Sequence, residues 1–343
     1  MTADAEALRD GLRRTLDAPG LDFAEPPTDL TGGFDTRIVA FRLTGAPSEL
    51  SGPLVLRLFA PRHDAARVRR ERAVHGALVE LGYPVPRILA SSDVPGPLGA
   101  PFLLMPRIPG RTLPDQQPLG MGRVLAQWQA RLHDLDGAAV VRRALAAEGL
   151  PPDTLELGWH LDGFGRQLAR PGLECLRASL DWLRSNQPPA PARLAICHGD
   201  FHPLNLLADR GGVTGVLDWP NALLADATCD VAATTAILQH ASVGDASPML
   251  RVVVTLARPL LIRGYQRAYR RRRALDAARW PYFEALALMR MLLRSGHDRL
   301  DRRRPGAAGG GHADPPDPMA RAIPAITARF AAITGVRPVL PEA

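Results

Sequence analysis

The sequence contains no lysine, so all 42 of its basic residues are arginine. This absence excludes reactions that need a Schiff-base lysine and nucleotide sites of the P-loop type, whose lysine contacts the phosphates. Aromatic residues make up only 5% of the chain, so leucine, valine and alanine must build the core. The three cysteines, Cys175, Cys197 and Cys229, form no Cys-x-x-Cys pair, and their odd number favours a reducing compartment.

A long apolar run and an export signal are also missing. The longest apolar stretch, residues 252–262, is interrupted by Arg258 and is too short to span a bilayer. Residues 1–6 are acidic and lack the basic-then-apolar pattern of a signal peptide. The sequence therefore predicts a cytoplasmic protein without a membrane partner.

The net charge of +7 is unevenly distributed along the chain. Residues 250–343 hold 18 arginines against 7 acidic residues, which leaves the rest of the chain with a net charge of −4. A basic C-terminal third is typical of a solvated helix face, but it also suits an anionic partner such as nucleic acid. Since no nucleic-acid-binding signature accompanies the arginines, we expect no nucleic-acid partner, and an arginine-rich nucleic-acid binder stays a minor alternative.

The length of 343 residues predicts two domains or lobes. Alternating apolar and polar residues predict strands in the first third of the chain, and a stripe of apolar residues predicts one helix there, over residues 64–81. From residue 114 onward the pattern is mostly helical and includes one long helix over residues 158–187. Residues 194–219 interrupt the helices with strand-like sequence and a Gly-Gly turn.

Residues 197–205 read Cys-His-Gly-Asp-Phe-His-Pro-Leu-Asn, and residues 216–219 read Val-Leu-Asp-Trp. Asp200, Asn205 and Asp218 are the kinds of group that phosphoryl transfer to a hydroxyl requires. One carboxylate orients the hydroxyl and accepts its proton, while an amide oxygen and a second carboxylate hold Mg²⁺ against the nucleotide phosphates. The hairpin predicted between Asn205 and Asp218 brings these groups to one edge.

This pattern resembles the catalytic loop and metal aspartate of the protein-kinase-like fold. The order of residues in the motif is similar to that of the aminoglycoside phosphotransferase and choline kinase branch. The resemblance covers roughly residues 25–300 and implies an α+β, two-lobed fold. It implies a small antiparallel nucleotide-binding lobe with one helix (residues 1–105), a hinge (106–110) and a mainly helical lobe (111–343). It also implies that Asp200 is the catalytic base, that Asn205 and Asp218 are Mg²⁺ ligands, and that His198 braces the loop.

The first lobe carries candidate nucleotide contacts. Gly32 and Gly33 let the backbone approach phosphates, although a hairpin turn uses the same pair. Strand alternation places Val55 and Arg57 on one face, and the family has lysine or arginine at the position of Arg57 to contact the α- and β-phosphates. An exposed strand arginine is the alternative. Glu71 lies on the apolar stripe of the predicted helix. A carboxylate buried there requires a cation, and Arg57 is the natural partner. The alternative is that Glu71 lies at a partly solvated edge of the helix.

Residues 102–110 resemble the linker between the lobes. The resemblance implies that Met105 borders the adenine, that the Pro106 carbonyl accepts from its exocyclic amine, and that the Ile108 N–H donates to a ring nitrogen. The alternative is that residues 102–110 are simply a strand followed by an ordinary turn.

Asp226 and Asp230 match a family segment in which glycine and proline are here replaced by alanine. We expect these two aspartates to cap a helix or brace the catalytic loop. His133 is expected to pack in the core.

The sequence therefore predicts an ATP- and Mg²⁺-dependent small-molecule kinase that phosphorylates a hydroxyl, with no obligate protein partner. A nucleotide-binding pseudokinase or interaction module without turnover is the alternative, motivated by Arg57 and by the alanine replacements. Aminoglycosides are polycations and call for an acidic cleft, whereas residues 111–190 balance acids and arginines. The sequence is therefore compatible with a neutral or an anionic acceptor molecule.

Overall fold

The computed structural model describes residues 3–30, 36–60, 65–241, 248–302 and 320–341. The chain divides into two compact units. The first unit is drawn from residues 1–116, 139–152 and 204–220, and the second from residues 117–138, 153–203 and 221–343. The lobe and hinge boundaries given above stay a prediction.

The described residues form helices and strands that are numbered here in chain order. They are α1 (Ala3–Thr15), β1 (Asp22–Asp29), β2 (Thr36–Thr44), β3 (Leu54–Phe59), α2 (Ala65–Glu80), β4 (Ala90–Ser92), β5 (Phe102–Pro106), β6 (Arg111–Thr112), α3 (Leu113–Gln116), α4 (Met121–Asp134), α5 (Ala138–Ala147), α6 (Leu157–Gln167), α7 (Arg177–Ser185), β7 (Ala195–Cys197), β8 (Leu206–Asp209), β9 (Gly212–Val216), β10 (Leu223–Ala225), α8 (Ala227–His240), α9 (Pro248–Arg270), α10 (Trp280–Arg302) and α11 (Ile323–Thr334).

A five-stranded antiparallel sheet in the order β1-β2-β3-β5-β4 forms the centre of the first unit. Side chains alternate along β3, so that Leu54 and Leu56 pack in the cluster that contains Leu12 of α1. Val55 packs on the opposite face, in the cluster that contains Val68 of α2. The predicted alternation of β3 is thus confirmed, and it directs Arg57 to the side of the sheet that α2 covers.

The first unit also contains a small sheet in the order β6-β8-β9. The β8–β9 hairpin pairs Leu206 with Val216. Trp219, which follows the hairpin, is buried, and its ring meets that of Tyr83 edge-on with centroids 5.9 Å apart. This packing fixes the chain where it leaves β9.

The second unit is mainly helical, with a buried core to which α6, α7, α8, α10 and α11 contribute. Its short strands β7 and β10 pair antiparallel. The prediction of one helix over residues 158–187 is wrong, because α6 ends at Gln167 and α7 begins at Arg177. Pro171 lacks the N–H that a continuous helix needs, and Gly172 adopts φ +95°, so the chain turns between the two helices.

Two further observations concern membrane-spanning helices and the cysteine thiols. None of the helices in the described ranges combines the length and apolar character that crossing a membrane would require. All three cysteines are free, and Cys197 and Cys229 are buried.

Leu56 tests the packing of the sheet against α1. It is fully buried, so Leu56→Ala is expected to lower the free energy of unfolding by about 3 kcal/mol through lost apolar burial and a residual cavity. Urea denaturation followed by far-UV circular dichroism measures the change. Leu260→Ala is the matched control, because Leu260 is 70% exposed and its removal should cost under about 0.5 kcal/mol. Equal losses for the two variants would contradict the assigned core.

Candidate active site

Three predicted site residues meet in the first unit around the guanidinium of Arg57. Its Nη1 donates to Glu71 Oε2 at 2.9 Å, and its Nη2 lies 3.6 Å from Asp218 Oδ1. Arg57 is 9% exposed and Glu71 only 1%. The Nε of Arg57 is buried and has no hydrogen-bond partner among the described residues. A buried, orphaned donor on a cation is a place where an anionic oxygen fits.

Glu71 stays ionised in spite of its burial. Burial alone would raise the pKa of its carboxyl, but the nearby charges of Arg57 and Arg67 hold that pKa below the usual range. Arg67 donates through Nε to Glu71 Oε1 at 3.4 Å. The predicted ion pair between β3 and α2 is therefore present, and the partly solvated alternative for Glu71 is wrong.

Asn205 and Asp218 lie at the same end of the β8–β9 hairpin, one before β8 and one after β9. The Leu217 N–H donates to the Asn205 carbonyl at 2.8 Å, which joins the two segments. Asp218 has φ +66°, a left-handed conformation that costs a non-glycine residue about 1 kcal/mol or more. Trp219 offsets this strain by packing against Tyr83 and donating from Nε1 to the Val216 carbonyl at 3.0 Å.

The donor set of this hairpin end suits a hard divalent cation. Asn205 offers an amide oxygen and Asp218 a carboxylate, and Mg²⁺ is bound through oxygen ligands of these kinds. The side chain of Asp218 is 45% exposed.

The predicted hinge packs on the same hairpin. Pro106 pairs with Leu54 in the sheet, and Met105 is buried beside β3 and α2. The side chain of Ile108 lies directly over Gly215 of β9, where an added Cβ would come within 2.8 Å of Ile108 Cγ2. Within the described ranges, no hydrogen bond uses the Ile108 N–H. Gly32 and Gly33 lie outside the described residues.

The loop that contains Asp200 follows β7 in the second unit. The N–H groups of His198 and Gly199 donate to the two carboxylate oxygens of Asp230, at 3.1 and 2.7 Å. The Asp200 N–H then donates to His198 Nδ1 at 3.2 Å, so His198 braces the loop as predicted. The carboxylate of Asp200 is partly exposed, and its Oδ1 lies 3.8 Å from His202 Nε2.

Gly199 is required by both its conformation and its surroundings. Its φ is +76°, and an added Cβ would lie 2.2 Å from the Asn221 carbonyl oxygen. The loop can therefore pass this close to the neighbouring backbone only with glycine next to Asp200.

Asp230 is completely buried and is held in the ionised form by its donors. Burial would raise the pKa of its carboxyl, but the hydrogen bond from His133 and the surrounding charges lower it to about 2. His133 Nε2 lies 3.0 Å from Asp230 Oδ2, and His133 Nδ1 lies 2.6 Å from the Tyr269 hydroxyl. Sequence reasoning assigned His133 to core packing alone and missed this polar contact. A buried histidine beside a buried acid is visible only once both helices are placed.

Asp226 has the structural role that the sequence predicted. It caps α8, accepting from the Thr228 N–H at 2.8 Å, and it lies 3.3 Å from Arg279 Nη1. Both predicted roles, a helix cap and a loop brace, are thus present and are divided between Asp226 and Asp230.

His133, Cys197 and Asp230 place a nitrogen, a sulfur and an oxygen within 4.8 Å of one another. A thiol binds a metal as thiolate. Burial and the nearby acids raise the pKa of the Cys197 thiol well above its usual value, so the sulfur stays protonated. His133 and Asp230 are hydrogen-bonded to each other, whereas the Cys197 thiol donates to the backbone carbonyls of Ala195 and Asp226.

Comparison with known proteins agrees with this geometry. Residues 28–280 match the phosphotransferase enzyme family, which is well over half of the chain. The chain belongs to this family. It is accordingly a phosphotransferase that acts on an alcohol group, as the sequence predicted.

Individual members of the family show how far the similarity extends. Over 220 residues the chain is 29% identical to an aminoglycoside 3'-phosphotransferase of Streptomyces fradiae, covering 58% of this chain and 75% of that protein. A thermostable mutant of aminoglycoside phosphotransferase APH(4)-Ia, solved with ADP and hygromycin B, superposes with a TM-score of 0.56 at 17% identity, covering 96% and 98% of the two chains.

A macrolide 2'-phosphotransferase, MphH of Brachybacterium faecium, superposes with a TM-score of 0.53 at 20% identity, covering 90% of this chain and 99% of that chain. With the antiparallel sheet and the helical unit described above, these similarities confirm the predicted α+β, protein-kinase-like fold of this phosphotransferase.

Asp230 provides a test that depends on pH. Because its folded pKa lies below the unfolded value of 3.8, its stabilising contribution is complete above that pH and is lost as the pH falls toward about 2. This loss is on the order of 2 kcal/mol in the wild type and absent in Asp230→Asn. The variant should also be about 3 kcal/mol less stable at neutral pH, since an amide cannot accept from both N–H groups.

Urea denaturation at several pH values measures both effects. Asp162→Asn is the matched control, because its ion pair with Arg184 is exposed and contributes little. An unchanged slope between pH 4 and pH 2 in Asp230→Asn would show that this carboxylate does not titrate as described.

Proposed function

We propose that this phosphotransferase is an ATP- and Mg²⁺-dependent kinase that transfers the γ-phosphate to a hydroxyl of a small molecule. In this proposal Asp200 is the catalytic base, and Asn205 and Asp218 are the metal ligands. Arg57 contacts the phosphates and is oriented by Glu71. Gly32 and Gly33 contribute backbone near the phosphates, while Met105, Pro106 and Ile108 contact the adenine.

The observation that carries the proposal is the position of Arg57. It is a buried cation with one carboxylate bound, a second carboxylate within 3.6 Å and one orphaned N–H. A cation whose own ion pair is satisfied, and which retains a buried donor, is suited to donate a hydrogen bond to a phosphate oxygen. That the solved relative APH(4)-Ia was bound to ADP supports a nucleotide in this role.

Asn205 and Asp218 would hold the Mg²⁺ ion through their oxygen atoms. When bound, the ion supplies positive charge that neutralises the phosphate oxygens during transfer. The strained backbone of Asp218 supports a functional role, because a left-handed aspartate persists only where the surroundings hold it.

Asp200 would orient the acceptor hydroxyl and take its proton. Its loop is fixed from beneath by Asp230, which holds two consecutive N–H groups, so the carboxylate is presented from a rigid backbone. A rigid base contributes through proton removal and orientation, and such groups typically give about 10² to 10⁴ in rate.

The acceptor is a small molecule with a free hydroxyl. The similar protein from Streptomyces fradiae is named as an aminoglycoside 3'-phosphotransferase. The fold is shared with the macrolide 2'-phosphotransferase MphH. A screen should therefore include aminoglycosides, macrolides, neutral sugars and anionic alcohols. Consumption of ATP that depends on one of these acceptors identifies the substrate class.

Asp200→Asn tests the proposed base. Its rate of ADP production with Mg-ATP and an active acceptor should fall by about 100-fold or more, because the amide cannot accept the proton. Affinity for Mg-ATP, measured by calorimetry, should be unchanged. Asp162→Asn, on the exposed surface of α6, is the control of the same chemistry and should keep full turnover.

Two results would refute this function. One is unchanged turnover in Asp200→Asn, which would exclude Asp200 as the base. The other is the absence of both Mg-ATP binding and acceptor-dependent ATP consumption in the wild type, which would exclude a kinase. Binding of Mg-ATP without any turnover would instead identify the pseudokinase alternative.

A further inference from the structure

Arg290, in the middle of α10, contacts the loop that contains Asp200. Its Nη1 donates a hydrogen bond to the carbonyl oxygen of Gly199. The approach is close enough that a Cβ added at Gly199 would lie 3.1 Å from the same Nη1. Arg290 thus reaches from a packed core helix to the residue that immediately precedes the proposed base.

The Gly199–Asp200 peptide group is consequently held at both its polar atoms. Its carbonyl oxygen accepts from Arg290, and its N–H donates to His198 Nδ1 at 3.2 Å. Asp230 holds only the N–H groups of the two preceding peptides. Arg290 and His198 therefore restrain the rotation of the last peptide plane before the Asp200 side chain from its two sides, and Arg290 is the member of the pair that lies outside the loop.

The position of the Arg290 side chain is not explained by an ion pair with a neighbouring carboxylate. Among the described residues, no carboxylate lies within ion-pair distance of Arg290. Ordering a long arginine side chain has an entropic cost, and here the ordered guanidinium is directed at a neutral backbone carbonyl. A charged donor makes a stronger hydrogen bond to that carbonyl than a neutral donor would.

We propose that Arg290 is a positioning residue for phosphoryl transfer, which fixes the Gly199–Asp200 peptide and with it the direction of the Asp200 carboxylate. The inference rests on the proposed role of Asp200 as base. Rates of transfer are sensitive to such orientation, and a displacement of about 1 Å can reduce them by about 100-fold.

Arg290→Met is the variant that tests this inference. Methionine keeps an unbranched, largely apolar stem for packing in α10 and removes only the guanidinium donors. Arg294→Met is the matched control, because Arg294 lies one turn further along the same helix and is exposed. Turnover is measured as ADP release from Mg-ATP with water as acceptor, so no identified acceptor is required.

Three results are expected for Arg290→Met. Its kcat falls by roughly 10- to 100-fold while its affinity for Mg-ATP is unchanged. Amide hydrogen exchange becomes faster in a peptide that covers residues 196–204 and stays unchanged in peptides from α10. Added guanidinium chloride, compared with sodium chloride at equal ionic strength, restores part of the lost kcat. Arg294→Met shows none of these changes.

Several outcomes would overturn the inference. Unchanged kcat in Arg290→Met would do so, as would a lower melting temperature with faster exchange throughout α10 and no rescue by guanidinium, which indicates a general role in stability. The Asp200→Asn variant separates this failure from failure of the proposed function. If Asp200→Asn loses turnover while Arg290→Met keeps it, only the role of Arg290 is wrong; if Asp200→Asn keeps turnover, the base itself is wrong.

Discussion

The buried carboxylate of Asp230 is the constraint on which the loop of the second unit depends. It accepts from two consecutive backbone N–H groups and from His133, and it is completely removed from solvent. An uncompensated charge at this depth would cost several kcal/mol, so every donor around it must stay in place. The backbone before Asp200 is therefore specified by the polar groups of the core and not by the loop alone.

This constraint explains why so many residues around the loop are polar and buried. Thr234 donates to the Phe201 carbonyl at 2.9 Å and accepts from Gln129 Nε2 at 2.9 Å, while Tyr265 donates to the other end of the Gln129 amide. Buried polar groups are stabilising only when they are satisfied together. The network extends from α4 through α8 to α9, so the loop is coupled to three core helices.

The sequence predicted those features that follow from local pattern and charge. The alternation of β3 and the stripe of α2 were enough to predict the pair of Arg57 and Glu71, because a buried carboxylate needs a cation. The second cation on that carboxylate, Arg67, was not predicted. The break between α6 and α7 was missed, since the apolar spacing continues across Pro171 and Gly172. A proline and glycine at that point outweigh the periodicity.

The parts of the site that sequence could not supply are those that depend on distant elements. His133 and Asp230 are 97 residues apart, and the local sequence around either residue does not predict their contact. The left-handed backbone of Asp218 is likewise invisible in the pattern Val-Leu-Asp-Trp, because aspartate there is normally extended or helical. It becomes intelligible only with the packing of Trp219 on Tyr83, which belongs to a separate part of the first unit.

The absence of lysine has a physical consequence at Arg57. A guanidinium presents its donors as a planar fork, so Nη1 can donate to Glu71 while Nη2 lies 3.6 Å from Asp218. The Nε donor is buried and has no hydrogen-bond partner among the described residues. A lysine ammonium is a compact point charge, and burial readily lowers its pKa toward neutrality. Arg57, together with Arg67, holds the pKa of the buried Glu71 carboxyl below its usual range against the effect of burial, so this carboxylate stays ionised beside the arginine. An enzyme built without lysine thus places on its central strand a planar group that binds one buried carboxylate and lies within ion-pair distance of a second.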